Sequence, residues 1–248
     1  MIPVAGGTFL MGSDRHYPEE RPAHELTVEA FEVAATPVTV AEFGEFVAAT
    51  GHVTTAERDG GAAVFAPPSH PVDLSDPLQW WSLVAGACWR SPGGPGTSAV
   101  EDHPVVQVSW SDVLAYCSFV RVRLPTEAEW ELAAQGADRS QANVWHGAFP
   151  YDARGLATTS PVGLFAPNPQ GLHDAVGNVW EWTSTSWTRD HQPTCCSAPP
   201  PAGVPMQVAK GGSFLCSEDY CARFRPQARM AMAVDSPSCH LGFRVAAL

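Results

Sequence analysis

The chain has 248 residues, of which 45% are hydrophobic and 16% are charged, and its formal net charge is −12. Its lysines and arginines form no cluster, which argues against nucleic-acid binding, and no run approaches the roughly 20 apolar residues of a membrane span. The first residues have no positive segment followed by an apolar stretch, which predicts a cytoplasmic protein that lacks a secretory leader.

No feature of the sequence indicates a domain boundary, and we predict one domain over residues 1–248. The content of 21 glycines and 23 prolines favours an irregular, loop-rich α+β fold over a helical bundle. Three proline-rich stretches, at 67–77, 92–104 and 193–205, are interleaved with apolar residues. We therefore predict ordered loops of one domain at these places, not linkers.

The N-terminal region predicts strands followed by a helix. Apolar and polar residues alternate over 7–13 and over 25–33, which is typical of strands. Thr39 then precedes apolar residues at helical spacing, with Glu42 three positions later. Because a threonine and a glutamate at this spacing form a capping box, we predict that a helix begins after Thr39.

Two further helices are predicted in the middle of the chain. The first follows residues 109–112, with Ser111 as the predicted N-cap. The second follows Thr126, where Glu129 completes a capping box and Trp130 points inward. From about residue 140 onward turn residues dominate, so short strands joined by long loops are expected, the last of them at 241–245.

The seven cysteines are an odd number, and most are expected to be free thiols in a reducing compartment. Cys88 and Cys117 lie in apolar contexts, which predicts buried side chains that act as small hydrophobic residues. Cys195 and Cys196 are adjacent in a proline-rich loop, and their pattern predicts no chemistry.

Cys216 and Cys221 form a different pattern, because they lie five positions apart on a segment that opens with Gly211-Gly212. Two converging thiolates suit Cu(I), whereas a zinc site would need four ligands and no second pair stands nearby. Spacing alone leaves three alternatives: metal or redox chemistry, a disulfide, or unlinked thiols. Glu218 and Asp219 should raise the pKa of both thiols and disfavour a bare nucleophile, an effect that a bound metal would reverse.

A second candidate motif runs from 174 to 183. Asp174, Asn178 and Glu181, with carbonyl groups exposed by a glycine turn, can supply oxygen ligands to calcium. The same residues can instead stabilise a turn by bonding their own backbone, and from the residues alone this interpretation is favoured.

Four strings in this order resemble the formylglycine-generating enzyme (sulfatase-modifying factor) family. The resemblance extends over essentially the whole chain and implies a C-type-lectin-like variant fold. Many proteins of the wider superfamily lack the activity, and the paired cysteines after Gly-Gly-Ser mark the active branch. The four strings are RLPTEAEWE (123–131), GNVWEWT (177–183), KGGSFLCSEDYC (210–221) and LGFR (241–244).

The resemblance implies a copper-dependent oxidase. Cys216 and Cys221 would be the active-site thiols that bind Cu(I), with Ser213 and Trp180 as neighbours of that centre. Tyr220 matches the tyrosine before the second cysteine. The family uses molecular oxygen to convert the cysteine of a Cys-X-Pro-X-Arg segment, in a polypeptide of the sulfatase type, to Cα-formylglycine. We expect a monomer.

The resemblance also implies structural calcium. The first site would comprise the side chains of Asp174 and Glu181 and the backbone carbonyls of Gly177 and Val179. A second site would be half-formed by Asn143 and Val144. Its remaining ligands are expected at 152–156, where Arg154 stands at a position that relatives fill with aspartate.

Two other functions compete with the oxidase. One is a non-catalytic, lectin-like binding module in which Cys216 and Cys221 form a structural disulfide. The other is a sulfoxide synthase of the ergothioneine-pathway type, for which neither the extra domain nor a three-histidine iron site is visible. The oxidase requires both thiols reduced and able to bind metal, whereas the binding module does not.

Overall fold

A computed structural model describes residues 1–189, 191 and 203–248. Cys195, Cys196 and most of the third proline-rich stretch lie outside these residues. Across the described ranges, no helix is long and apolar enough to cross a membrane.

The described residues contain four α-helices and ten β-strands. The helices are α1 (Val40–Thr50), α2 (Thr55–Asp59), α3 (Trp110–Val120) and α4 (Glu127–Ala133). The strands are β1 (Ile2–Val4), β2 (Gly7–Met11), β3 (His24–Val28), β4 (Phe31–Val33), β5 (Gly61–Phe65), β6 (Trp81–Ala85), β7 (Trp180–Ser186), β8 (Met206–Lys210), β9 (Arg229–Ala233) and β10 (Leu241–Gly242). Short 3-10 helices lie at Pro18–Glu20, Pro77–Gln79 and Arg139–Gln141.

One four-stranded sheet, in the order β10-β7-β8-β9, organises the molecule. Strand β10 is parallel to β7, and the other neighbours are antiparallel. The pairs β1-β4, β2-β3 and β5-β6 form separate two-stranded sheets. The largest buried cluster joins β7 to α1 and α3, through Trp180, Phe43 and Tyr116 among others. The apolar faces of these elements therefore meet in one core.

The helix starts at Thr39 and Thr126 are confirmed, since each threonine closes a capping box with the glutamate three positions later. The predicted cap at Ser111 is wrong. Helix α3 begins at Trp110, because the Ser109 side chain accepts from the Asp112 N–H and the Asp112 carboxylate accepts from the Ser109 N–H. Ser111 therefore lies inside the first turn.

The N-terminal strands are shorter than predicted. The first ends at Met11, and the stretch 25–33 divides into β3 and β4, which pair with different partners, β2 and β1. The chain passes close to Gly6 at this division, where a Cβ would lie 2.5 Å from the Ala30 nitrogen. The last strand is also shorter than predicted, because the Phe243 and Val245 carbonyls accept from Val38 and Ala34 instead of continuing a ladder.

Candidate functional site

Residues 211–228, which connect β8 to β9, carry both candidate thiols and are called the thiol loop below. Within it the Sγ atoms of Cys216 and Cys221 lie 3.7 Å apart. A disulfide bond measures about 2.05 Å, and both cysteines are free thiols here. The structure thus brings the two predicted thiols into contact without linking them.

Two glycines let the chain turn back on itself at the start of the thiol loop. Gly211 and Gly212 have φ angles of 96° and 74°, in the left-handed region that favours glycine. A Cβ on Gly212 would lie 2.7 Å from the Arg223 carbonyl oxygen and 3.2 Å from the Cys216 Sγ. A side chain there would therefore push apart the two arms of the loop that hold the thiols.

Ser213 lies directly beside Cys216. Its backbone N–H donates to the Cys216 Sγ at 3.4 Å, and its carbonyl oxygen accepts from the Cys216 N–H at 2.9 Å. The Ser213 hydroxyl oxygen accepts from the Leu215 N–H at 3.3 Å, so the buried side chain holds the same turn. Ser213 thereby fixes the position of the Cys216 sulfur.

The two thiols are electrostatically unequal. Contact with Cys221, together with complete burial, raises the pKa of Cys216 well above its ordinary value. The pKa of Cys221 is lowered, first by the hydrogen bond from Cys216 and then by the Ser217 backbone N–H and the positive charge of Arg223. Cys221 is also the less buried thiol, so the pair loses its first proton from this sulfur.

The expectation that Glu218 and Asp219 raise the pKa of both thiols is wrong for Cys221. Glu218 pairs with Arg139 instead, and their side chains are 64% and 55% exposed. Solvent screens a charge in that position. The Glu218 carboxylate is therefore paired at the surface, and Asp219 is exposed as well.

Tyr220 belongs to an aromatic wall next to Cys221. Its ring stacks on Phe149 at a centroid distance of 4.7 Å and meets the edge of Trp80 at 5.4 Å. Trp80 is 2% exposed and Phe149 is 4% exposed, whereas Tyr220 is 38% exposed. The name aromatic wall refers to Trp80, Phe149 and Tyr220 below, and Tyr220 is its solvent-facing member.

Trp180 lies in the floor of the same region. It is fully buried in the large core cluster that contains Cys216, and Cys221 packs against this cluster. Its backbone N–H donates to the His240 carbonyl oxygen at 2.8 Å. Trp180 therefore contributes to the apolar surroundings of the thiols as part of β7.

A buried charge network, which we did not predict from the sequence, holds the base of the thiol loop. Lys210 and Arg229 face each other as register partners at the ends of β8 and β9. The Lys210 Nζ donates to Glu131 at 2.8 Å, and the Arg229 guanidinium donates to Glu127 at 2.9 Å. Glu131 also accepts from the Gly12 N–H at 2.7 Å.

The charges of this network balance. Burial alone would raise the pKa of Glu127, but Lys210, the hydrogen bond from His191 and Arg229 outweigh it and lower the pKa to about 2. Glu127, Glu131 and His191 also lie close enough to hold a metal ion. Lys210 and Arg229 already neutralise the two carboxylates, so we assign no metal there. The spacing of Glu127 and Glu131, one turn apart on α4, is the sequence signal that could have revealed this network.

The arm of the loop beyond Cys221 is tied to the N-terminal segment. The Arg223 guanidinium pairs with Glu19 at 2.5 Å and lies 3.9 Å from the Tyr17 ring centroid. Arg225 binds both carboxylate oxygens of the buried Glu20, at 2.9 and 2.7 Å. Both arms of the thiol loop are therefore anchored by charge-assisted hydrogen bonds.

The first predicted calcium site has buried carboxylates. Arg244 binds both oxygens of Glu181, at 2.6 and 2.7 Å, and the Trp130 indole N–H also donates to Glu181. Asp174 accepts from the Gly163 N–H, and burial raises its pKa. Among the described residues Asp174 forms no ion pair, so one buried negative charge is left for a cation. Arg244 occupies both oxygens of Glu181, so calcium at this site stays a prediction that rests on Asp174.

The second predicted calcium site fits less well. The Asn143 amide nitrogen donates to the Thr158 carbonyl oxygen at 2.8 Å, and the Asn143 carbonyl accepts from Asn178. In the loop expected to supply the other ligands, Arg154 pairs with Asp152 at 3.5 Å. A cationic side chain at this place opposes cation binding, and we derive no step from this site.

Comparison with known proteins gives consistent matches over the full length. The family described as sulfatase-modifying factor enzyme 1-like domain matches residues 1–247. A protein named formylglycine-generating enzyme from Mycobacterium tuberculosis is 44% identical, over 100% of this chain and 97% of its own. A mouse protein named inactive C-alpha-formylglycine-generating enzyme 2 is 39% identical, over 99% of this chain and 85% of its own.

Among solved structures, PvdO from Pseudomonas aeruginosa superimposes with a TM-score of 0.70 at 25% sequence identity. The match covers 98% of this chain and 92% of PvdO. The predicted α+β, loop-rich fold class is confirmed.

Proposed function

Because this chain belongs to the sulfatase-modifying factor enzyme 1-like family, we propose that it oxidises a cysteine of another polypeptide to Cα-formylglycine. The contact of two free thiols at 3.7 Å on the thiol loop is the observation that carries this proposal. The relative from Mycobacterium tuberculosis bears the activity in its name. The proposed substrate is a sulfatase-type polypeptide with a Cys-X-Pro-X-Arg segment.

The proposed cofactor is Cu(I), which Cys216 and Cys221 would hold. Two adjacent sulfur donors suit this soft ion, and the free cysteines of the loop present them. Among the described residues, the one group of three or more potential ligands includes neither thiol. In this proposal a thiolate from the substrate would be the third sulfur donor. When bound, copper supplies the one-electron chemistry through which a thiolate reacts with molecular oxygen.

The unequal thiols suggest how the protein prepares this site. Cys221 ionises first because its pKa is lowered, whereas Cys216 keeps its proton because burial and the neighbouring sulfur raise its pKa. A metal deprotonates the thiols that coordinate it, so loading would release the Cys216 proton. Arg223, anchored by Glu19, supplies positive charge near the resulting anionic pair.

The overall reaction balances with a thiol reductant. Converting the substrate –CH2–SH to a thioaldehyde removes two electrons and two protons. Water then replaces the sulfur, which leaves as hydrogen sulfide and gives the aldehyde. Molecular oxygen accepts these two electrons and two more from an added dithiol, so that both of its oxygen atoms leave as water and the dithiol becomes a disulfide. One of the two waters offsets the water consumed in hydrolysis, and the net products are the aldehyde, hydrogen sulfide, one water and the disulfide.

The surrounding side chains have positioning roles in this scheme. Ser213 fixes the Cys216 sulfur through its backbone N–H, and the buried Trp180 is part of the apolar core that contains Cys216. The aromatic wall lies beside Cys221 and ends in the partly exposed ring of Tyr220. This exposed ring is a suitable surface for the substrate segment as its cysteine approaches the thiols.

Conversion of a peptide tests the proposal. Copper-loaded protein with oxygen and a dithiol should convert a Cys-X-Pro-X-Arg peptide to a product lighter by about 18 Da, the difference between cysteine and formylglycine. Cys216→Ser and Cys221→Ser should each reduce the rate by at least about 1,000-fold, because each removes a sulfur donor. Cys88→Ser, at a half-buried cysteine of another cluster, is the matched control and should retain the rate.

The same experiment separates the oxidase from a non-catalytic binding module. The mouse relative is named as inactive, whereas the relative from Mycobacterium tuberculosis is named as an enzyme, and both are similar to this chain over its full length. If the loaded wild-type protein binds the peptide without changing its mass, and both serine variants bind it equally well, the binding module is the correct function.

A further inference from the structure

A cavity of about 280 Å³ on one side of the thiol loop plays no part in the reaction described above. Its walls include Phe214 of the loop, Phe65 of β5 and Cys239. The volume lies just below the roughly 300–1,000 Å³ of pockets for free small molecules. A cavity of this size suits one or two amino-acid side chains.

The cavity lies beside the candidate site and shares a wall with it. Phe214 directly follows Ser213, the residue that fixes the Cys216 sulfur. Phe65 stacks on Phe149 of the aromatic wall at a centroid distance of 6.0 Å, and Phe65, Phe214 and Trp80 share one buried cluster. Since Phe214 lies in the cavity wall and follows Ser213, a residue close in sequence to the substrate cysteine can reach this cavity.

The cavity is uncharged although the chain as a whole carries a net charge of −12. Of the described residues that line it, none is an aspartate, glutamate, lysine or arginine. Burial lowers the pKa of His103, whose ring contacts the Thr159 hydroxyl at 2.9 Å. This histidine is therefore neutral at pH 7, and the remaining polar groups near the rim are hydroxyls such as that of Ser98.

We propose that this cavity binds an uncharged side chain of the substrate polypeptide, close in sequence to the cysteine that is oxidised. This inference rests on the proposed function and names a specificity determinant for it. An isolated guanidinium or carboxylate in such a cavity would lose its hydration without gaining a partner. The arginine of the Cys-X-Pro-X-Arg segment therefore lies outside the cavity, and one neighbouring position selects against charge.

A peptide scan tests this selection. Each position from three residues before the cysteine to five after it is replaced in turn by leucine, lysine or glutamate, leaving the cysteine unchanged. At one position both charged residues should lower kcat/KM by at least about tenfold relative to leucine, mainly through KM, because the lost contact is made before the chemical step.

The variant Ser98→Asp places a carboxylate at the cavity rim, on an exposed residue where the fold should tolerate it. For peptides changed at the position found in the scan, the variant should raise kcat/KM of the lysine peptide by about fivefold or more. It should lower kcat/KM of the glutamate peptide further. Ser118→Asp is the matched control, an exposed serine on α3 that lines none of the described cavities. With this control variant, kcat/KM for all three peptides should equal the wild-type values.

The two proposals fail in different ways. If wild-type protein converts no peptide, the proposed function fails and the cavity assignment falls with it. If the reference peptide is converted but no position disfavours both charges, or Ser98→Asp changes lysine and glutamate peptides alike, only the cavity assignment is overturned.

Discussion

Cys216 and Cys221 are in contact, yet their surroundings make them chemically different. Burial and the neighbouring sulfur raise the pKa of Cys216, while Ser217 and Arg223 help to lower that of Cys221. Because the thiolate is the reactive form, Cys221 should be alkylated first in metal-free, reduced protein at pH 8. We expect its rate with iodoacetamide to exceed that of Cys216 by at least about tenfold.

Peptide mapping by mass spectrometry after short exposures measures this ratio. The buried Cys117, whose pKa is raised to about 12 by burial, provides the unreactive internal control. Equal labelling of both loop thiols, or faster labelling of Cys216, would show that the assigned order of ionisation is wrong.

At this scale the sequence located the thiols but not their electrostatics. The glycine pair and the cysteine spacing are local signals that indicated converging thiols, whereas the role of Ser213 was implied by the family resemblance. The effect of Glu218 was misjudged because its side chain turns to Arg139, which lies far away in sequence. Tertiary packing sets the direction in which a side chain points. Proximity along the chain therefore did not predict which charges affect the pKa of the thiols.

The elements that matter most for the site are β8, β9 and α4, because they close the base of the thiol loop. Lys210 is fully buried and bonds to Glu131, which is also fully buried. Lys210→Met would leave the Glu131 charge without its cation. Breaking a buried pair by removing one partner typically costs about 3–5 kcal/mol, and we expect that loss in the free energy of unfolding.

A double-mutant cycle separates the charge effect from the loss of packing. Lys210→Met combined with Glu131→Leu removes both charges and should be less destabilised than the sum of the single variants. Urea unfolding of the four proteins measures this coupling. Strictly additive effects would mean that the two side chains do not stabilise the loop base as a pair.

Two helix starts were predicted from a local cap, whereas the equally local box of Ser109 and Asp112 was assigned to Ser111. The capping boxes at Thr39 and Thr126 are contained in four residues each, so α1 and α4 begin where expected. Helix α2 was missed because its five residues are too short to show an apolar period, although Thr54 and Glu57 form the same box. The division between β3 and β4 depends on separate partner strands, which local patterns do not contain.

For the whole molecule, the proposed calcium ion would link the core sheet to the loops around it. Asp174 holds the Gly163 backbone, and Glu181 on β7 bonds to α4 through Trp130 and to the C-terminal segment through Arg244. A ligand that binds only the folded state stabilises it, by about 2.7 kcal/mol when present at 100 times its Kd. Calcium should therefore raise the Tm by several degrees, and Asp174→Ala should abolish the rise.

Thermal unfolding with calcium, with magnesium and with a chelator measures this effect. Magnesium should act more weakly, because it demands near-ideal octahedral geometry and gives up its water reluctantly. A Tm that is identical with calcium and with chelator would show that calcium does not stabilise the folded protein.

The central claim is that one copper ion, held by Cys216 and Cys221 together, supports oxidation of a partner's cysteine. Its most direct test is to titrate metal-free protein with Cu(I) and to measure the initial rate of aldehyde formation on a Cys-X-Pro-X-Arg peptide. The rate should rise linearly and reach a plateau at one equivalent of copper per chain, with no activity in either Cys216→Ser or Cys221→Ser. Undiminished activity of the stripped protein in the presence of a Cu(I) chelator, or an unaltered titration in either variant, would contradict the claim.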